Sequence, residues 1–474
     1  MLFNSLEFAF FLPIVFVLYW FVTQRNLKLQ NLLLLVASYI FYGWWDWRFL
    51  GLIVFSSFLD YFLGLQIHNS EKKSSRKAYL LASLLVNLGF LGFFKYYNFF
   101  AESFAESFTF FGSSFEASRL NIILPVGISF YTFQTLSYTI DVYRKQLTPT
   151  RDIIAFFSFV SFFPQLVAGP IERATHLLPQ FLKEREFNYQ FAKTGIQLIV
   201  WGLFKKMVIA DNAAIIVQGI FGDYASQNSL TLIVGMLLFT FQIYCDFSGY
   251  SDIAIGTGRM FGFDLMTNFK FPYLSKNISE FWKRWHISLS TWFRDYLYIP
   301  LGGSKVSQGM ALRNIFIVFL VSGFWHGANW TFIFWGFIHG LLYIPMFVKS
   351  KSAKSQITPD SQLKTVLNGI FIFTFVCFAW IFFRSESVTD SFNYITGIFT
   401  NSGSGKFFLS TTKYSVITAI SFAFIVVMML IEYSFYRKGK FEVKLPAYGL
   451  VALLLCIFYA GALKDHSSFI YFQF

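Results

Sequence analysis

Residues 281–303, FWKRWHISLSTWFRDYLYIPLGG, gather Lys283, Arg284, His286, Arg294 and Asp295 among Trp, Phe and Tyr side chains in an otherwise oily chain. An ionisable group at the centre of a bilayer costs about 2.5 to 3.5 kcal/mol on insertion scales, so it faces a partner or a wet cavity. The surrounding segment, about 242–330, is too polar for plain spans and too apolar for a soluble domain. Irregular backbone survives in lipid only when buried in protein or lining water, so this segment is expected to form the inside of a cavity.

The rest of the chain agrees with a membrane setting. It has 474 residues, 55% of them hydrophobic, 22% aromatic and 13% charged, with 67 phenylalanines. A soluble domain of that composition could not cover its surface with polar groups. The fold class expected is all-α: a polytopic membrane protein forming one membrane domain, 1–474, with 242–330 as its core. Apolar runs fall near 7–23, 31–45, 49–67, 79–96, 123–141, 153–168, 194–218, 229–248, 312–324, 330–348, 367–383, 414–434 and 447–462. Several are shorter than the roughly 20 residues a span requires, so some are expected to be re-entrant, tilted or buried against neighbours. About 11 to 13 transmembrane or re-entrant helices are therefore expected.

The net charge of +13 is spread over short loops, where topology explains it better than nucleic acid does. Arg25 and Lys28 follow the first span, Lys72, Lys73, Arg76 and Lys77 the third, and Arg144, Lys145 and Arg151 the fifth. Segment 98–120 instead carries Glu102, Glu106 and Glu116 against Arg119. Since Lys and Arg accumulate on the cytoplasmic side, the alternation places the N terminus outside. Lys349, Lys351, Lys354 and Lys364 mark a later inside loop, Arg437, Lys438, Lys440 and Lys444 another, and the tail HSSFIYFQF then lies outside. The first 21 residues lack a basic leading segment and a small-residue cleavage site, and so read as a retained span.

Within FQIYCDFSGYSDIAIGTGRMFGF, Gln242, Asp246 and Tyr250 are spaced for one helical face. Such a stripe is either an interhelical hydrogen-bond seam or the lining of a substrate path. In the opening stretch, Trp282, Trp285, His286, Trp292, Phe293 and Tyr296 suggest an amphipathic helix with a basic edge at Lys283, Arg284 and Arg294. That edge either sits at headgroup depth or holds a phosphate-bearing donor. In LVSGFWHGANWTFIFWGFIHG, Gly323 and Gly327, with Asn329 nearby, are expected to break or thin the helix around His326 and turn its imidazole into a tunnel. Imidazole is the usual general base for activating a hydroxyl. His339, deeper in a continuous apolar run, reads as structural.

Other chemistries find little support. There is no GxSxG, the six histidines at 68, 176, 286, 326, 339 and 466 show neither HxxxH nor HExxH spacing, and Cys245, Cys377 and Cys456 form no CxxC, so no metal site is expected. A base-assisted transfer between two bound substrates remains. A non-enzymatic polysaccharide exporter or flippase is the alternative from another class, although the repeat symmetry expected of a carrier is missing.

GLFKKMVIADN (202–212), QIYCDFSGYSDIAIGTGRMFGF (242–263), FPYLSKNISEFWKRWHISLSTWFRDYLYIPLGGS (271–304), SGFWHGANWTFIFWGFIHG (322–340), WIFFRSES (380–387) and the ending FIYFQF resemble the membrane-bound O-acyltransferase family, in particular its bacterial alginate O-acetyltransferase branch. The resemblance covers essentially the whole chain. It implies a helical bundle around a central tunnel, with a cytoplasmic mouth for an acyl donor such as acetyl-CoA or an acyl carrier and an outer opening for a polysaccharide acceptor. No resident cofactor is implied. The family's signature histidine matches His326 and its second histidine matches His286. By motif position, Lys205, Lys206, Lys283 and Arg284 are the nearest phosphate partners at the inner mouth. Gln242, Asp246, Tyr250, Trp282, Trp285, Arg294, Trp325 and Asn329 complete the expected substrate lining. The resemblance further implies the bacterial inner membrane and a periplasmic acetyltransferase or SGNH-hydrolase-like partner. Peptidoglycan or cellulose O-acetylation and teichoic acid D-alanylation remain alternatives within the same family.

Overall fold

A computed structural model describes the chain except residues 111, 113–118, 167–168, 353–360, 404, 409–410, 463–468 and 471–474. Glu116, Lys354, His466 and most of the C-terminal tail, which entered the charge reading, lie outside the described residues, and the side chains of Lys349 and Lys351 are likewise not described. Among the described residues the regular structure is helical, with no strand. Seven helical segments are long and apolar enough to cross a membrane: Leu27–Asn69, Lys73–Phe108, Ser229–Met260, Gln308–His326, Trp330–Val348, Gln362–Arg384 and Thr412–Arg437. Leu6–Val22, Ile153–Leu166 and Ala447–Ala460 are shorter apolar helices. The chain is thus an all-α, multi-pass membrane protein. Its outward side chains fit lipid: Leu6 is 76% exposed, Phe21 79% and Leu85 73%.

The residues pack as two compact units, 1–196 with 253–266, and 197–252 with 267–474. In the first, polar residues on otherwise apolar helices bind one another. Ser83 Oγ and Asn87 Nδ2 donate to the two oxygens of the fully buried Asp60, at 2.6 and 2.9 Å. Ser56 Oγ donates to Asn87 Oδ1, and Ser83 meets Thr139 at 3.1 Å. This seam joins Leu50–Asn69, Lys73–Leu91 and Ile128–Tyr143, the role polar groups take where helices have no hydrophobic drive to associate. Side-chain caps start the helices, as with Ser5 accepting from Phe8 N and Asn26 from Leu29 N.

In the second unit, Gln308–His326 and Trp330–Ser352 pack backbone to backbone. A Cβ at Gly323 would lie 2.2 Å from Phe332 O, and one at Gly336 would lie 2.3 Å from Phe319 O, so only glycine allows the approach. The unit begins at Gln197 within helix Tyr189–Leu203, which is joined to Asp211–Gly222 through a π-helical turn at Phe204–Ala210 that carries Lys205 and Lys206. Such turns recur at functional sites.

Candidate active site

Helix Gln308–His326 stops at His326 because Gly327 is extended, with φ −163° and ψ 155°. The expected break therefore falls at Gly327 alone. Gly323 stays helical, and its lack of a side chain serves packing against Phe332. Asn329 shapes the turn into the next helix: its Oδ1 accepts from Thr331 N at 2.9 Å and its Nδ2 donates to Glu386 O at 2.8 Å. The terminus delivers a buried imidazole, 3% exposed, into a cage of rings. Trp325, Trp335 and Phe383 lie 5.0, 5.2 and 5.3 Å from His326 between centroids.

The opening stretch is not one amphipathic helix, as its pattern suggested. It divides into Ile278–Trp282, Ile287–Phe293 and a π turn at Arg294–Tyr298. The break is His286 itself, held at φ 43° and ψ 55°. A left-handed residue cannot continue a right-handed helix, and strain of this kind persists where the surroundings over-determine it. Asn268 does much of the determining. Its Oδ1 accepts from Ser288 N and Ser288 Oγ, at 3.2 and 2.7 Å, which fixes that atom as an acceptor. His286 Nδ1, 3.2 Å away, must then be the donor, and the lone pair falls on Nε2. Burial among apolar groups, including Phe247 at 4.6 Å, pushes the His286 pKa down and favours the neutral ring.

The two imidazoles lie 6.5 Å apart between centroids, too far for their nitrogens to hydrogen-bond directly. Trp325 borders both, at 6.0 Å from His286. Trp285 packs 4.9 Å from Trp380, which stacks on Trp335 at 5.6 Å. Trp282 reaches Trp335 at 5.7 Å and also faces a cavity of about 410 Å³. Ser290, Arg294, Tyr298, Ser304 and Tyr343 supply polar atoms to its largely apolar wall. The structure thus gathers His286, His326, Trp282, Trp285, Trp325 and, at the cavity wall, Arg294.

The other expected residues fall elsewhere. Lys206 is fully buried and ion-paired to Asp246 at 2.6 Å and Asp211 at 2.7 Å, with the Tyr250 ring 5.4 Å from its ammonium. Asp246 also accepts from Ile470 N at 2.7 Å. Lys205 pairs with Asp252 at 2.7 Å and donates to Ser248 at 2.9 Å. Asp246 and Tyr250 therefore belong to an ionic seam, while Gln242 on the same helix is half-buried. Arg284 pairs with Glu280 at 2.6 Å and lies over Tyr436 and Phe441, at 4.8 and 5.3 Å. Lys283 is exposed. Sequence reasoning missed Asn268, Trp335, Trp380 and Phe383. Each is an ordinary residue in an apolar or loop context; contact with an imidazole gives Asn268, Trp335 and Phe383 their meaning, and packing on Trp285 and Trp335 gives Trp380 its own. Among the described residues no group of three or more His, Cys, Asp or Glu side chains could hold a metal.

The family model for the membrane-bound O-acyltransferases matches residues 144–385, a range that contains both imidazoles and Asn268. The chain is 39% identical to a protein of Pseudomonas putida named probable alginate O-acetylase, over all of both chains. It is 42% identical to the Pseudomonas aeruginosa protein of the same name, over 82% of this chain and 73% of the other. It is 37% identical to the peptidoglycan O-acetyltransferase of Helicobacter pylori, over 84% and 80%.

Proposed function

Because the chain belongs to the membrane-bound O-acyltransferase family, and is thus a multi-pass O-acyltransferase, we propose that it takes an acetyl group from cytoplasmic acetyl-CoA and passes it across the membrane for O-acetylation of an extracytoplasmic polysaccharide. An alginate-type polymer is the preferred acceptor, given the names of two of its relatives. Peptidoglycan is the second reading, supported by the Helicobacter pylori relative. The enzyme sits in the bacterial inner membrane with its N terminus outside, and a periplasmic SGNH-hydrolase-like protein relays the acetyl group or completes the transfer.

The observation that carries this reading is the pair of buried imidazoles 6.5 Å apart, one of them held in a strained backbone by Asn268. The gap is suited to a reacting group between the rings. His326 acts as base: it takes the proton of the acceptor hydroxyl as that oxygen attacks the thioester carbonyl carbon. The carbon–sulfur bond breaks, the thiolate leaves and the proton passes to sulfur, so no net proton is released. His286, its Nδ1 proton committed to Asn268, offers an Nε2 lone pair that accepts from a neighbouring hydroxyl of the acceptor and so holds the reacting hydroxyl toward His326. The surrounding tryptophans exclude water, which would otherwise hydrolyse the thioester. The cavity beside Trp282, apolar with a few polar groups, suits the pantetheine arm of the donor, and Lys283 is the cation best placed in sequence and exposure to meet its phosphates.

The test is acetyl transfer by purified protein carrying His326→Ala. Loss of transfer with normal membrane insertion supports the assignment, and wild-type turnover removes His326 from the mechanism.

A further inference from the structure

A second, smaller pocket opens where helix Gln362–Arg384 ends. It encloses about 130 Å³ and is lined by Phe221, Tyr224, Arg384, Ser385, Glu386 and Asp390. Arg384 lies with its guanidinium 5.6 Å from the centre of the Phe221 ring, and among the described residues it makes no hydrogen bond or ion pair. A cation in the last helical turn does favour the helix dipole, and the ring contact adds a little more. Neither uses the five N–H donors of the guanidinium. The other walls differ in kind. Asp390 is already engaged, accepting from Tyr224 Oη at 2.7 Å and Ser387 Oγ at 2.6 Å. Ser385 Oγ donates to Ile381 O at 2.8 Å and keeps its lone pairs. The Glu386 carboxylate is exposed.

The pocket adjoins the imidazole cage. Phe383, the residue before Arg384, lies 5.3 Å from His326, and Glu386 O is bonded to Asn329 in the turn that follows His326. Lys364 lies near the opposite end of this 23-residue helix, about 30 Å away at 1.5 Å per residue. With Lys364 on the cytoplasmic side, as the loop charges imply, the pocket belongs to the outer side.

Resting on the acyl-transfer reading for its place beside the acceptor path, we propose that this pocket binds one pyranose unit of the acceptor glycan, with the Arg384 guanidinium donating to the sugar's oxygens and Glu386 accepting from a hydroxyl. Donors, acceptors and an aromatic wall together match a ligand whose every hydroxyl both donates and accepts. A cavity of about 150 Å³ takes benzene, so about 130 Å³ takes one hydroxyl-bearing edge of a sugar ring, with the rest of the ring at the open mouth. Two carboxylates beside one guanidinium disfavour a simple anion. The proposal places the glycan itself, rather than a carrier serine alone, at this membrane enzyme.

The experiment uses the full-length protein in detergent, with mannuronate tetramer and cellotetraose as probes. Saturation-transfer NMR reads binding, and acetyl transfer from acetyl-CoA reads turnover. Arg384→Gln should weaken binding of at least one probe by about 10- to 100-fold, the range for losing a hydrogen bond to a charged group. It should raise the acceptor KM equally, with the KM for acetyl-CoA unchanged. Glu386→Gln, at an exposed side chain, should weaken the same probe several-fold. Sugar binding that is lost in both variants, in a protein that makes no use of acetyl-CoA, supports the pocket while overturning the donor assignment. The proposal is overturned if neither probe binds the wild type, if both variants bind as the wild type does, or if only a partner protein's serine competes for acetyl transfer.

Discussion

Two buried polar regions of the second unit are opposites in design. Around the π turn at Phe204–Ala210, Lys205 and Lys206 meet Asp211, Asp246 and Asp252 at 2.6 to 2.7 Å, so charge answers charge. Around His286 and His326 the polar groups are imidazoles enclosed by Phe247, Trp325, Trp335 and Phe383. Compensated charge in a low-dielectric interior holds helices in place and offers a substrate little. Imidazole in an apolar cage is held neutral and keeps a lone pair able to accept a proton. Under the proposed reaction, the same apolar surroundings serve architecture in one place and chemistry in the other, and the partners of each polar group decide which.

The comparison breaks most directly at His326. His326→Ala should lower acetyl transfer by about 100- to 10,000-fold, the usual contribution of a positioned base, while the melting temperature in detergent changes little. His286→Ala should impair transfer less, and Asn268→Leu should reproduce much of that loss by releasing the ring's tautomer, read as a fall in kcat with donor KM unchanged. A transfer rate untouched by Asn268→Leu would show that the tautomer is not being held for catalysis.

At the ionic seam the expected damage is to folding. Lys206→Met leaves Asp246 and Asp211 buried without their cation, a loss of about 3 to 5 kcal/mol for a broken buried pair. Thermal unfolding in detergent should show it, and adding Asp246→Asn and Asp211→Asn should restore part of the stability. A well-folded Lys206→Met protein with a raised acetyl-CoA KM would instead return Lys206 to the donor site. The neighbouring basic edge separates the same two roles on a smaller scale. Lys283→Ala should raise the KM for acetyl-CoA severalfold with kcat nearly intact, since such a group binds ground state and transition state alike. Arg284→Ala should chiefly lower stability, because its guanidinium is already held by Glu280, Tyr436 and Phe441. Equal KM effects from both would overturn the distinction.

The smallest effect tests orientation and leaves function untouched. Cysteines placed at Ser74 and Ser113 and exposed to a membrane-impermeant thiol reagent on intact cells should label at Ser113 alone, and the reverse pattern would invert the topology.

Composition and the length of the apolar runs by themselves determined the membrane setting and the helical class, because lipid admits few backbone solutions and a span needs a certain length. Gly327 flanking His326 was likewise legible as the end of a helix, since Gly and the residues around it carry a local conformational signal. What the local pattern could not decide was how far a polar residue's neighbours in space would use it. Lys205 and Lys206 look, in one dimension, like a basic pair awaiting phosphate, and Asp246 and Tyr250 like a substrate-lining stripe. Folding brings Asp211, Asp246 and Asp252 within hydrogen-bond reach of the two lysines, so that their charges answer one another. The Phe281–Gly303 stretch shows the reverse. Its spacing suggests a continuous amphipathic helix, yet Asn268, eighteen residues before His286, captures the imidazole and Ser288 and holds the backbone in a left-handed turn. A contact of that range has no signature in helical periodicity, because periodicity records which face a side chain occupies and not which distant atom will meet it there.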